Sequence, residues 1–239
     1  MSDEDTEFHY GGKFGWIYQE SKHFNDKEFL GDNYLQYKIT KIKIWSGKKD
    51  NKEIINGIQV TYKNILNGKE ISPGEFKGEE GLEKVDEFVV PQSEYLTKYH
   101  VRIDTEVTQI GFETNKGNKI LIGSTTAGED KIISSNNEDN IIVTLYGCYN
   151  NCLQACGIGY VKKKDYMKAL FIGFFELRFK LKKDENYKKE WVEKEKSLDL
   201  NNRALLKTCL LPDTAFNEII KFCLNFISSL YSSFIIILI

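Results

Sequence analysis

The sequence has no Asn-x-Ser/Thr sequon, no C-x2-C pair and only three prolines in 239 residues. Its first stretch, MSDEDTEFHYGG, is acidic and lacks the apolar run of a secretory signal. Without sequons or a leader, the expected setting is the cytoplasm, with reduced thiols. Five cysteines are an odd number, which argues against a complete disulfide framework. The formal net charge of −2 gives no general attraction for nucleic acid. No Ser/His/Asp or Cys/His arrangement stands out, and the carboxylates are scattered without a pair suited to acid–base work, so a non-catalytic protein is expected. Charge of either sign is missing from FCLNFISSLYSSFIIILI, residues 222–239.

The small net charge conceals an uneven distribution. Residues 1–160 carry 18 Lys/Arg against 25 Asp/Glu, whereas residues 161–209 carry 14 against 8. This shift from acidic to basic places a domain boundary near residue 160. Upstream of it, β-type runs recur at close spacing: ITKIKIW (39–45), GIQVTY (57–62), then VDEFVV, YHVRI, VTQIGFE, KILIG and NIIVTLYG. The segments between them, KKDNKE, NGKE, NKGN, TAGED and SNNEDN, have turn chemistry. Short strands without a long helical period indicate an all-β sandwich, barrel or prism. One run is ambiguous, because the apolar phase of ITKIKIW is mixed.

Beyond residue 160 the pattern changes. FELRFKLK (175–182) alternates strictly and reads as one more half-buried strand. The charged segment 183–207 is helix-friendly, and Pro212-Asp213-Thr214 opens an expected apolar helix over 213–239. The last 18 residues just reach the length of a membrane span, so a tail anchor is one reading; packing on the β body is the other. The lysines at 162–164 read as a solvated linker, or as headgroup contacts if the tail inserts.

Six segments, in order, resemble the jacalin-related lectins: YGGKFGW (10–16), ITKIKIWSG (39–47), IINGIQVTY (54–62), GEEGLEKVDEFVVPQSEYLTKYHVRI (78–103), IGFETNKGNKILIG (110–123) and LYGCYNNCLQACGIG (145–159). The resemblance covers residues 8–162 and implies a β-prism of three four-stranded antiparallel sheets, followed by a mixed strand/helix extension over 163–239. It also implies binding of mannose- or galactose-type glycans without metal or other cofactor. The binding loops implied are the Gly-rich N-terminal loop and the G-x-x-x-D loop before the last strand. Carried onto this chain, they give Gly11, Gly12, Tyr149, Asn150, Asn151, Cys152 and Gln154 as site residues, with segments 10–16 and 147–154 neighbouring at one end. Asn150 stands where the motif has Gly and tolerates the left-handed backbone region. Gln154 stands where the motif has Asp, so the carboxylate that would take two hydroxyl protons is replaced by an uncharged amide.

The alternative implied by that replacement is a lectin-like module that no longer binds sugar. It would act as a protein-interaction or structural part of a larger assembly through 163–239, with or without membrane attachment through 222–239. Self-association is compatible with either reading. The spacing C-x3-C-x3-C at Cys148, Cys152 and Cys156 is wrong for structural zinc. Cys156 is expected to be a small buried apolar residue, and Cys148 and Cys152 exposed thiols. Trp16 and Trp45 read as core or sheet-face residues, and Glu94-Tyr95 as a structural turn.

Overall fold

The structure is a computed structural model, and it describes residues 8–15, 20–77, 84–134, 139–194 and 210–212. Three antiparallel sheets form the expected prism. The first contains β1 (His9–Gly15), β2 (Lys22–Asn25), β12 (Asn140–Tyr149) and β13 (Leu153–Lys162), in the order β1-β13-β12-β2. The second contains β3 (Tyr37–Lys49), β4 (Lys52–Asn64) and β7 (Lys84–Val89). Its outer position beside β4 is filled by two short pieces, β5 (Glu70–Ile71) and β6 (Phe76–Lys77), so one edge strand is interrupted. The third runs β10-β9-β8-β11, built from β8 (Leu96–Ile103), β9 (Val107–Thr114), β10 (Lys119–Gly123) and β11 (Glu129–Ser134).

Each sheet turns one set of side chains inward. Ile42, Ile44, Ile58, Val60 and Tyr62 of the second sheet meet Tyr99, Val101, Ile110 and Phe112 of the third and Leu145, Leu153, Cys156 and Ile158 of the first in one cluster. The mixed phase of ITKIKIW has a local cause. The β3–β4 register shifts between Ile39 and Lys41, and this bulge lets Ile39, Ile42 and Ile44 all point inward. The β3–β4 hairpin closes through Asp50 (φ 50°) and Asn51 (φ 62°), the residue types that accept the left-handed region two-residue hairpins require.

Two buried hydroxyls cross between walls. Tyr99, on β8, donates to the backbone carbonyl of Cys156 on β13 at 3.2 Å. Tyr62, on β4, donates to the carboxylate of Asp26. Asp26 opens the short helix α1 (Asp26–Leu30), whose preceding Asn25 caps it by accepting from the Lys27 N–H at 3.2 Å. Asp26 is fully buried. Desolvation raises its pKa from 3.8 to about 7, against the opposing hydrogen bonds from Tyr62 and the Leu145 backbone. Glu94 is also buried, but it accepts from Thr114 Oγ1 (2.6 Å) and Asn118 Nδ2 (2.8 and 2.9 Å), and these bonds lower its pKa. It ties the β9–β10 turn to the approach of β8, which is a structural role.

Contacts divide the chain into two compact units, residues 1–171 and 172–239, with the division falling inside helix α2 (Lys163–Lys183). In the first unit Tyr166 is buried and joins the prism core. The expected strand at 175–182 is α2 instead. Strict alternation of four apolar residues is also two i,i+4 pairs: Phe175 with Phe179, and Leu177 with Leu181 on the opposite side of a helix. The flanking Lys, Leu and Glu are good helix formers, and no turn signal separates 163–174 from 175–182. Asp184 breaks the helix and caps α3 (Glu185–Lys194), accepting from the N–H groups of Asn186 and Tyr187 at 2.9 and 3.0 Å. The part of the expected charged helix beyond Lys194, residues 195–207, and the apolar run 213–239 lie outside the described residues. Among the described residues, no helix is long and apolar enough to cross a membrane.

Because the Asp26 pKa is raised on folding, folded protein keeps a proton that the unfolded chain releases above about pH 4. The Asp26 contribution to stability therefore falls as pH rises from about 4 to about 7, by about 1 kcal/mol per pH unit, and is constant on either side. Urea unfolding across this range should show wild type losing about 2–4 kcal/mol relative to Asp26→Asn. Parallel pH profiles for the two proteins would refute this assignment.

Candidate functional site

The β12–β13 hairpin turns at Asn150-Asn151-Cys152, between the paired residues Tyr149 and Leu153. The Asn150 N–H donates to the Cys152 carbonyl at 3.0 Å and closes it. Among the described residues, the non-glycine positions with positive φ are Asp50 and Asn51, so the left-handed region that Asn150 would tolerate is not used there. The turn closes without it, and glycine is not required there.

Next to this turn runs the end of β1. Gly15 pairs with Ala155, and a Cβ on Gly15 would stand 2.0 Å from the Gln154 carbonyl oxygen and 2.7 Å from the Ala155 Cα. With φ at 127°, this position accepts only glycine without strain. Gly11 and Gly12 lie elsewhere. Residues 9–15 form a strand rather than a loop, Gly11 pairs with Ile158, and Gly12 sits in the bulge between Gly11 and Phe14. Ile158 stands six positions along the chain from Cys152, about 20 Å of extended strand. The structure thus brings Tyr149, Asn150, Asn151, Cys152 and Gln154 together, adds Gly15, and leaves Gly11 and Gly12 further along the sheet. Trp16, the residue after Gly15, lies outside the described residues.

The exposure of the turn is selective. Asn151 is exposed, Tyr149 and Asn150 are half-buried, and Cys152 and Gln154 are buried. Gln154 Oε1 accepts a hydrogen bond from Ser21 Oγ at 2.5 Å. Its one acceptor oxygen is therefore engaged inside the protein. Tyr149 leans on two rings, with centroids 6.0 Å from Phe76 and 6.5 Å from Phe24, and these two stack at 4.3 Å. The Lys22 ammonium lies 6.0 Å from the Tyr149 centroid. Tyr149 is thus braced by β2 and β6. Ser21, Lys22, Phe24 and Phe76 are not among the sequence-derived candidates. Of these contacts, only the Gln154 substitution has a legible signal, since a polar residue at a loop–strand junction needs a partner.

Cys148, Cys152 and Cys156 are not joined in disulfides and are all buried. This corrects the expectation that Cys148 and Cys152 are exposed. Cys148 is buried although it alternates out of phase with the core residue Leu145; it is flanked on β12 by Ala155 of β13 and His23 of β2. Cys152 tucks under the turn. Burial pushes the Cys156 thiol up to about 12. Among the described residues, no group of three or more His, Cys, Asp and Glu side chains is arranged to hold a metal.

Residues 10–159 match the jacalin-like lectin domain family. The chain belongs to that family. Solved jacalin-related structures share its fold. The Malaysian banana lectin is 17% identical, with TM-score 0.51, covering 65% of this chain and 99% of that one. A mannose-binding jacalin-related lectin from Ananas comosus is 20% identical, with TM-score 0.50, covering 65% and 98%. The Calsepa lectin, solved with a biantennary N-glycan, is 19% identical, with TM-score 0.52, covering 66% and 98%. A search of curated protein sequences found no match. The matched lectins are thus spanned almost completely, and the second unit of this chain falls outside the family match.

Native protein treated with iodoacetamide should remain unlabelled at Cys148, Cys152 and Cys156, as read by peptide mass mapping, and should label there after denaturation. Labelling of Cys152 in native protein at the rate of a free thiol would contradict the buried turn.

Proposed function

We propose that the chain is a non-catalytic, carbohydrate-binding lectin of the cytoplasm, taking mannose- or galactose-type glycans weakly at the β12–β13 turn. In this proposal residues 8–162 are the binding body and 163–239 an extension with other contacts. The observation that carries it is the seating of Gly15 against Gln154 and Ala155, beside the Asn150–Cys152 turn. That approach lines up backbone groups and the Asn150 and Asn151 amides where a ring of hydroxyls needs donors and acceptors together. The mannose-binding and glycan-bound relatives support the ligand class, and the reduced thiols support the compartment.

The site is weak because Gln154 offers no charge and its oxygen is held by Ser21. Losing a charge-assisted bond costs about 1–2 kcal/mol, roughly tenfold in affinity. The same hydrogen bond favours a second reading, in which the prism has given up sugar and serves as an interaction module.

Calorimetric titration with methyl α-mannoside and methyl α-galactoside, beside a glycan array, separates the two. The lectin reading expects one sugar type to bind in the millimolar range, Gln154→Asp to tighten it about tenfold, and Asn150→Ala/Asn151→Ala to abolish it. Absence of binding by both wild type and Gln154→Asp across the array would discard the lectin reading and leave the interaction module.

A further inference from the structure

In the second unit, α2 is apolar on two opposite sides. Leu177 and Leu181 are buried on one. On the other, Ile172, Phe175 and Phe179 share the i, i+3, i+7 spacing of a single face and stand 50%, 41% and 65% exposed. Apolar residues on both sides are expected of a helix that buries two faces, and here one of the two sets stays 41% or more exposed. Three aromatic or branched side chains in a row are more than scattered surface apolarity.

The surroundings of this face are cationic. Lys180, Lys182 and Lys183 are exposed on the last turns of α2, and the Lys183 ammonium lies 5.6 Å from the Phe179 centroid. Glu176 is the acidic residue on the exposed side of these turns. The next carboxylates are engaged, Asp184 as the cap of α3 and Glu185 with Lys188 at 3.4 Å. The sequence continues the theme, with 14 Lys/Arg against 8 Asp/Glu over residues 161–209 and then the uncharged run 222–239. At 21 residues α2 has the length of a span, yet its lysines exclude a transmembrane position. Apolar side chains on one face, flanked by long basic ones, suit a helix lying in the headgroup region, with rings below and ammonium groups among the phosphates.

We propose that the Ile172–Phe175–Phe179 face of α2, with Lys180, Lys182 and Lys183, docks on an anionic phospholipid surface. This stands independently of the sugar reading, since none of its residues belongs to the prism's candidate site. The surface holds the protein reversibly, by shallow insertion of the rings and attraction of the lysines.

The test is co-sedimentation of the full chain with vesicles of phosphatidylcholine, with and without phosphatidylserine. Binding should require phosphatidylserine and weaken in high salt. Phe175→Ser/Phe179→Ser should lower the partition coefficient about tenfold or more. Lys180→Glu/Lys182→Glu/Lys183→Glu should lower it by about a hundredfold or more. Thermal melts of each variant report folding, and the lysine variant alters exposed residues only, so it keeps the test valid if the phenylalanine variant unfolds. Three outcomes overturn the proposal: no binding to either vesicle; equal binding of wild type and variants, which assigns attachment to residues 222–239; or phosphatidylserine-independent dimerisation that the phenylalanine variant abolishes, which gives the face to a second copy.

Discussion

Two tyrosine hydroxyls hold the three walls of the prism to one another. Tyr99 reaches from the third sheet to the Cys156 carbonyl in the first, and Tyr62 reaches from the second sheet to Asp26 beside the first. Apolar packing alone is non-directional and would tolerate sliding of one sheet over another. A buried hydroxyl left without its partner costs about 1–3 kcal/mol, so each of these bonds penalises displacement of its wall. The Tyr99 bond also fixes β13 at Cys156, two residues from Gln154. The position of the β12–β13 turn is thus set from inside the prism, and Gly15 of β1 is then seated against it.

That placement explains what the turn offers chemically. A carboxylate at position 154 would face the turn with two acceptor oxygens and resist burial unless well bonded. An amide at 154 is neutral and tolerates the interior, where Ser21 satisfies it. The substitution and the burial therefore support each other: removing the charge lets the side chain turn in, and turning in withdraws the acceptor from solvent. The polar groups left outward are those of Asn150 and Asn151, which are uncharged. Any ligand of this turn is recognised through neutral hydrogen bonds, and recognition of that kind is weak in water because each bond replaces one already made to solvent.

The prism is legible in the sequence because β-type runs recur at close spacing between Asn- and Gly-rich turns, and because six ordered segments resemble a known family. The departures each have a local cause. The bulge between Ile39 and Lys41 hides the alternation of β3, since one extra residue reverses the inward phase. The helix over 175–182 reads as a strand because period-two alternation and paired i,i+4 contacts produce the same eight-residue pattern. An exposed Cys152 is expected only if every turn residue faces solvent, whereas in this three-residue turn, closed by the Asn150–Cys152 bond, Cys152 is buried and Asn151 is the exposed residue. Motif order places segment 10–16 beside the turn, and the glycine of that segment that meets the backbone of β13 there is Gly15. Ser21, Phe24 and Phe76 act on the site through contacts between strands distant in sequence, which no local pattern encodes.

The chain thus separates two surface chemistries. The turn of the prism is polar, braced by aromatic rings and depleted of charge. The α2 face is apolar and rimmed by ammonium groups. Neither chemistry could serve in the other's place, since exposed phenylalanines beside a sugar site would favour aggregation, and lysines around a shallow polar turn would draw anions to it. Because the prism core gathers residues from all three sheets, a substitution there shifts the turn, whereas Ile172, Phe175 and Phe179 lie in the second compact unit and are absent from that core. The proposed recognition turn is thus built from the first unit and the proposed lipid-facing residues from the second, so substitutions in one set leave the residues of the other unchanged.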